Sequence, residues 1–543
     1  MLRFKVAYAL VILGFQIDLF KCEIYTSYEE MRKLFDTQHE VTRRLDDYIK
    51  FEEDRLRKAK DVVENFRSFS QISKIDQENF IGNPVNSFLV LKLMVKDIQR
   101  FVDLLNTIDD LKKMVSELKE RYNLPGDEDY EGVIKGMHRL EDTYLLNPSD
   151  IRTGSLSMRH TSRALNAFEC FELGRIAYEN KDYYHAIRWM NESLIQVELE
   201  GNQPSIDKVE ILDYYAFSTA KQGNIKHAID LTKQIIELEP DHERAEANLK
   251  YFEKALKDYK KLLQGDNGDN LDLSNNPFVF KNPRPEHVLG SEREIYESLC
   301  RGDYKPSRKQ KNLHCRYISY NPLLKIAPVK EELVHDKPKI WLYHDVITEK
   351  QIEIMKELAT PKLRRAIVRS PVTGKFETAE YRISKSGWLT DREHPSLNYL
   401  TKLVKAVTNL TMETAEEWQI ANYGIGGQYE PHFDFARKTE PRDAFSEAIG
   451  NRIATWLFYL ETPEVGGATV FPPVGARVNP TKRSAAFWYN LHPSGDGDYR
   501  TRHAACPVLY GTKWVSNKWI HMVGQEFVRP CNLFREESPE KYL

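Results

Sequence analysis

Beyond its first 22 residues the chain has no apolar run of the ~20 residues needed to cross a bilayer, so no membrane span is expected. A strongly basic balance is also missing. The formal net charge is −3, and no Lys/Arg-rich field of the kind that nucleic-acid binding requires is present. Cysteine is scarce, at six in 543 residues, too few to build a fold from disulfides yet compatible with an oxidising lumen. The length itself exceeds what one hydrophobic core can organise and implies about three domains.

The leader is the exception to the lack of apolar runs. Arg3 and Lys5 precede an apolar stretch, Val6 to Ile17, within residues 1–22. That pattern reads as a secretory signal peptide, the alternative being a buried N-terminal helix. Asn191-Glu192-Ser193 and Asn409-Leu410-Thr411 are acceptor sequons consistent with a secretory route. Cys300 and Cys315 flank a short loop, and Cys506 and Cys531 flank the last predicted strands. Pairing each couple closes a local loop within one unit, which is the expected connectivity, although sequence alone does not fix it. Cys170, inside a predicted helix, is left as a free thiol.

Residues 23–147 are charged and helical in pattern. Met31, Leu34, Val41, Leu45 and Tyr48 recur at 3–4 spacing, with Gln38 interrupting, and Leu91, Met94, Ile98, Phe101, Leu105 and Ile108 repeat the stripe. Asn83-Pro84 separates the two helices. Either an intramolecular core or a self-associating coiled coil would give this stripe; long charged faces favour an exposed rod that needs a partner.

Residues 160–263 contain a repeat. Leu173-Gly174, Ala177, Ala186 and Met190 correspond to Tyr215-Ala216, Thr219, Ala228 and Thr232, with Pro240 closing the second unit. This is tetratricopeptide-like, although the units lie 42 residues apart rather than about 34 and the consensus Trp is absent. Leu249 and Phe252 on the next helix can cap the stack. Tyr178, Tyr183, Tyr184, Tyr214, Tyr215 and Tyr251 crowd this unit. Any one of them can be a packing residue, but a concave tyrosine face suits a proline-rich peptide, which is already ordered as polyproline II. Residues 264–337 read as a linker and connector.

From Pro338 to 535 the pattern turns to short β runs: Ile340–Tyr343, Trp418–Ala421, Ile453–Leu460 and Ala485–Tyr489, with one amphipathic helix near Glu349 to Leu358. The order fits a double-stranded β-helix, the jelly roll of cupins. Within it lies Tyr429-Glu430-Pro431-His432-Phe433-Asp434. On an extended strand His432 and Asp434 share a face. Two His and one carboxylate with open positions form the ligand set of a non-haem Fe(II) oxygenase, and His503 is the available second imidazole. Lys513 follows ten residues later, past Pro507 and Gly511, where a hairpin would lay it on the strand beside His503. Iron would then chelate one end of 2-oxoglutarate and the lysine would hold the other. His39, His335 and His492 are read as ordinary core or surface histidines, and Lys482 and Lys518 as solvated.

These stretches, with Gly466-Gly467-Ala468-Thr469-Val470-Phe471-Pro472 and Thr501 through His521, resemble the catalytic α subunits of the collagen prolyl 4-hydroxylases. The resemblance covers nearly all of the chain after the leader. It implies a dimerisation region, a peptide-binding region and an oxygenase domain in that order. By matched position it implies His432, Asp434 and His503 as iron ligands, Lys513 as the 2-oxoglutarate anchor and His521 as an aid to co-substrate binding and decarboxylation. It implies Tyr214, Arg244, Asn248 and Tyr251 on the peptide groove, with Phe217 where a tyrosine is expected. It also implies the cysteine pairing given above, O2 as co-substrate, and ascorbate to restore iron oxidised in uncoupled turnovers. Protein disulfide isomerase is the implied β subunit, in an α2β2 tetramer in the endoplasmic reticulum lumen. Glu540-Lys541-Tyr542-Leu543 is not a retention signal, so a partner would hold the enzyme there. A lysyl hydroxylase would share the iron ligands, and a secretory repeat chaperone with a dead oxygenase domain is the reading from another class. The first fits the aromatic repeat unit poorly; the second would predict a missing ligand or anchor, and none is missing.

Overall fold

The computed structural model describes residues 53–72, 76–104, 127–156, 162–264, 278–285, 290–305, 312–369, 376–378, 381–424, 426–438 and 447–532, with 50, 74 and 445 singly. The leader, the stripe from Met31 to Tyr48, Leu105, Ile108 and the polar run 265–270 lie outside them. The chain divides into two compact units: residues 1–72 with 93–124, and residues 73–92 with 125–543. In the first unit the described residues form a helix over 53–72, one π-helical turn at Leu93–Asp97 and a helix at Ile98–Leu104.

The second unit opens with α1 (Gln77–Gly82) and α2 (Pro84–Lys92), separated at Asn83-Pro84; the stripe from Leu91, expected on one helix, is interrupted by the π turn at Leu93–Asp97. After α3 (Asp127–Tyr144) come the repeat helices α4 (Ala167–Glu179), α5 (Tyr183–Glu200), α6 (Lys208–Lys221) and α7 (Ile225–Leu238), followed by α8 (Ala245–Gln264). Asn166 and Glu169 form a reciprocal capping box at the start of α4, and the Asp182 side chain caps α5. Gly174 permits the close α4–α5 crossing, since a Cβ there would stand 2.9 Å from Met190 and 3.3 Å from the Ala186 carbonyl. Phe252 of α8 is buried with Ala228 and Ile229, so α8 caps the stack as expected. Burying such a ring contributes roughly 1.5–3 kcal/mol.

α9 (Ser291–Arg301) leads into the β region. Its large antiparallel sheet has nine strands. In spatial order these are β1 (Cys315–Ile318), β2 (Val329–His335), β3 (Ile340–His344), β10 (Ala485–Tyr489), β7 (Arg452–Tyr459), β12 (Lys513–His521), β5 (Trp418–Tyr423), β4 (Lys385–Leu389) and an edge pair, Arg364–Arg365. A smaller sheet runs β9 (Ala476–Val478), β8 (Thr469–Phe471), β11 (His503–Ala505), β6 (Tyr429–His432). One face of the large sheet packs on α10 (Glu349–Ala359) and α11 (Pro395–Thr408) through Trp418, Ile420, Trp456 and Phe458. Side chains of alternate residues on the same strands, Ala421, Tyr423, Leu457 and Tyr459, meet Phe471 and Val478 of the small sheet. The site lies on that second face.

Three expectations are corrected. Residues 315–335, expected within the connector, supply β1 and β2 of the large sheet; the alternation in Val-Lys-Glu-Glu-Leu-Val-His was the signal for β2. The disulfide joins Cys300 to Cys506, not Cys300 to Cys315 or Cys506 to Cys531. α9 lays Cys300 against Ala468, Val470 and Ala504 of the small sheet, which brings it to Cys506, while Cys315 and Cys531 are exposed free thiols. Lys518 is buried over the Trp418 ring at 5.0 Å rather than solvated. Cys170 is buried and free, as expected.

Candidate metal and co-substrate centre

β6 and β11 pair antiparallel, and their register sets His503 directly opposite His432. β6 ends at His432, so Asp434 stands in the bend beyond it rather than on the strand. The carboxylate still reaches both rings: Oδ1 is 3.8 Å from His432 Nε2, and Oδ2 is 3.6 Å from His503 Nε2. The three residues offer ligand atoms all within 4.8 Å of one another.

The hydrogen bonds of the rings fix how they face. His432 Nδ1 lies 2.7 Å from the Glu430 carbonyl and His503 Nδ1 lies 2.9 Å from the Thr501 carbonyl. A carbonyl only accepts, so each Nδ1 donates and each Nε2 keeps its lone pair for a metal. Thr455 Oγ1 donates to Asp434 Oδ2 at 2.7 Å and accepts from Asn490 Nδ2 at 2.9 Å, which holds the carboxylate in place. Burial, then the neighbouring His503, holds the His432 imidazole well below its ordinary value. Burial pushes Asp434 up, but His503 and His432 outweigh it and leave the carboxyl at about 2. Two imidazoles with Nε2 facing inward beside an ionised carboxylate are the donor set that Fe(II) takes.

Lys513 is not on the strand beside His503. The chain leaves the small sheet after Ala505, and Lys513 opens β12 of the large sheet, opposite Tyr423. It is 1 % exposed, and among the described residues its Nζ has no hydrogen-bond partner. The ammonium lies 4.9 Å from the Tyr423 ring centroid. Gly467 makes room for its stem, since a Cβ there would come within 3.3 Å of Lys513 Cδ. Burial alone lowers Lys513 to about 7. An unpaired ammonium in a dry site costs several kcal/mol, so the position fits an anionic ligand.

His521 ends β12, an even number of residues beyond Lys513 and thus on the same face. Both of its nitrogens face acceptors, Nδ1 the Gly450 carbonyl at 2.5 Å and Nε2 the Glu416 carboxylate at 3.0 Å. Glu416 also pairs with Arg452. Burial raises the Glu416 carboxyl, and the bond from His521 with the charge of Arg452 more than offsets this.

Sequence reasoning missed Thr455, Tyr429 and Arg382. Tyr429 stacks on His432 with ring centroids 3.4 Å apart, and Arg382 lies over the Tyr429 ring, 4.8 Å from its centroid. Strict alternation would put Tyr429, three residues before His432, on the opposite face; the register shift between the His503–His432 and Ala505–Tyr429 pairs breaks that rule, and no spacing points to Arg382.

In the repeat unit, Tyr178 packs edge-on against Tyr183, Tyr214 and Phe217 at 6.0, 4.9 and 5.7 Å. Arg244 is tied to Asp213 of α6 by an ion pair, Asn248 is half-buried and Tyr251 is exposed. Tyr215 is a core residue instead. Asn191 and Asn409 are both exposed. His335 and His492 are buried, each near a protein acceptor, as ordinary core histidines are.

Three family profiles match the chain. The prolyl 4-hydroxylase alpha-subunit N-terminal region covers residues 27–158, the prolyl 4-hydroxylase peptide-substrate-binding domain 167–258, and the 2OG-Fe(II) oxygenase superfamily 418–521. Prolyl 4-hydroxylase subunit alpha-1 of Homo sapiens is 46% identical over 94% of this chain and 95% of its own length. The Gallus gallus alpha-1 subunit is 45% identical over 94% and 99%, and the Caenorhabditis elegans alpha-2 subunit 40% identical over 98% of each. A solved viral collagen prolyl hydroxylase aligns with 34% of this chain at 23% identity and a TM-score of 0.27, which carries no weight in the assignment. The chain belongs to the family of prolyl 4-hydroxylase alpha subunits.

Proposed function

We propose that the chain is the catalytic α subunit of a procollagen-proline 4-dioxygenase, with Fe(II), 2-oxoglutarate, O2 and ascorbate as its cofactors and co-substrates. The observation that carries the reading is the His432–Asp434–His503 triad together with the buried Lys513, whose Nζ has no hydrogen-bond partner among the described residues. Bound there, Fe(II) with 2-oxoglutarate and O2 would supply oxidative decarboxylation to succinate and CO2 and oxygen transfer to proline C4.

The protein's own part is binding, orientation and exclusion of water. Glu430 and Thr501 carbonyls hold the two imidazoles with Nε2 inward, and Thr455 holds the carboxylate. Lys513 would bind the far carboxylate of the co-substrate as a point charge, which gives its ammonium the partner it lacks. His521, fixed by Glu416 and Gly450, would stand beside the co-substrate as a positioning residue. Tyr214, Arg244, Asn248 and Tyr251 would hold an extended proline-rich chain on the repeat unit, where packed aromatic edges suit polyproline II. The two facing sheets would close as a double-stranded β-helix, and the N-terminal helices would pair two α subunits. Protein disulfide isomerase as β subunit, the α2β2 tetramer and residence in the endoplasmic reticulum lumen complete the proposal. Lysyl hydroxylation is disfavoured by the aromatic face of the repeat unit. Release of CO2 from 2-oxoglutarate with and without a (Pro-Pro-Gly)-type peptide tests the reading: strong stimulation by peptide is expected, and equal rates would refute it.

A further inference from the structure

A second group of metal-ligating side chains lies away from the catalytic triad, where α3 meets the repeat unit. His138 of α3, His185 of α5 and Asp182, the α5 N-cap, bring ligand atoms within 4.8 Å of one another. The two rings stack with centroids 4.6 Å apart. They border a cavity of about 370 Å³ between the two elements. We propose that His138, Asp182 and His185 form a second site, for a borderline dication such as Zn²⁺, that fastens the peptide-binding unit to α3.

Three features carry this. His138 is 6 % exposed, yet its Nε2 has no hydrogen-bond partner among the described residues. An orphaned buried polar atom is costly, and a metal bond would satisfy it. His185 Nδ1 and Asp182 Oδ2 stand 2.6 Å apart and share a proton that a dication can displace to solvent. Beyond that, Asp142, itself paired with Arg284 at 3.0 Å, has Oδ1 3.3 Å from His185 Nε2, an ion-pair contact behind that imidazole. Asp182 is the one partly exposed member, with its side chain 33 % accessible, and provides the route of entry. Ligand atoms of a tetrahedral ion lie about 3.3 Å apart, so binding would widen the His185–Asp182 pair and draw the His138 ring towards it. Two nitrogens, one carboxylate and a water make a Zn²⁺-type set.

The position gives the ion a task. Next to His138, Arg139 donates to the Gly426 carbonyl at 2.7 Å, just before the ligand strand β6. α3 also reaches the oxygenase region through Tyr144, which donates to the Pro507 carbonyl at 2.5 Å. An ion on α3 and α5 would therefore stiffen the junction between the peptide-binding and catalytic regions.

The test uses the full chain carrying His432→Ala and His503→Ala, so that the catalytic triad takes no metal. After equilibration with Zn²⁺ and dialysis, one equivalent per chain should remain, and Co²⁺ in its place should give tetrahedral d–d absorption. Adding His138→Phe, which keeps a buried ring, or Asp182→Asn, which keeps the α5 cap, should weaken retention at least about tenfold. No retained metal in the triad-free chain overturns the proposal. So does undiminished retention in either added variant.

Discussion

His432 and His503, far apart in sequence, are direct cross-strand partners, with ring centroids 4.4 Å apart. Each is held by a carbonyl two residues before it in the chain, Glu430 and Thr501. The proposed iron site is thus a property of strand register, and replacing either ring by Ala should abolish turnover while the chain still folds and assembles. Full activity in a purified His432→Ala or His503→Ala protein would remove the metal assignment.

Thr455 offers a finer probe, because it touches the carboxylate and no metal. Thr455→Val keeps shape but deletes the hydrogen bond to Asp434, and should weaken Fe(II) affinity about 10–100-fold. Titration of the apo-enzyme with Fe(II) reads this directly. Unchanged affinity would show that Asp434 needs no such support.

Lys513 should separate co-substrate from metal. Lys513→Ala should raise the KM for 2-oxoglutarate about tenfold to a hundredfold with Fe(II) affinity unchanged, the loss of a charge-assisted contact of roughly 1.5–3 kcal/mol. A pH dependence follows as well. Burial lowers the free-enzyme lysine to about 7, and only the ammonium attracts a carboxylate. KM should be flat below that pH and rise above it, approaching about tenfold per pH unit. Lys513→Arg recovers part of the binding and should remove the rise, because a guanidinium stays charged. A wild-type KM that is level from pH 6 to 9 would contradict the lysine's depressed pKa.

The disulfide can be mapped. Non-reducing digestion should yield Cys300 joined to Cys506, with Cys315 and Cys531 alkylated in the native protein. This bridge spans 206 residues, so its loss removes on the order of 5 kcal/mol of chain-entropy stabilisation. Cys300→Ser should lower the melting temperature and activity together, since Cys506 lies beside the His503 strand. A Cys300–Cys315 peptide would overturn the connectivity.

What could be read in advance was local. The β runs at Trp418 and Ala485, the capped helix at Glu349 and the small residues at Gly174 and Ala186 carry their structure in their own neighbours. The His-x-Asp spacing pointed to the candidate ligands for the same reason, although Asp434 sits past the strand end. What escaped depends on long-range packing. α9 delivers Cys300 to the small sheet, and the chain crosses from one sheet to the other between His503 and Lys513. Lys518 lies over Trp418, and Arg382 over Tyr429. No period in the sequence encodes those contacts.

On the repeat unit, Tyr214→Ala should raise the KM for a (Pro-Pro-Gly)-type peptide about tenfold, with the 2-oxoglutarate KM and the maximal rate little changed. Tyr214 is one of the packed aromatic edges, in contact with Tyr178 and Phe171 at 4.9 and 5.2 Å. An equal fall in the maximal rate at saturating peptide would place its effect on the fold instead.

The most direct test of the whole account is product analysis during turnover. With Fe(II), ascorbate, O2 and 2-oxoglutarate, a (Pro-Pro-Gly)-type peptide should gain one oxygen per succinate formed, located at proline C4. A peptide with lysine in place of the target proline should gain none. Succinate formation indifferent to the peptide, or oxygen found on lysine, would contradict it.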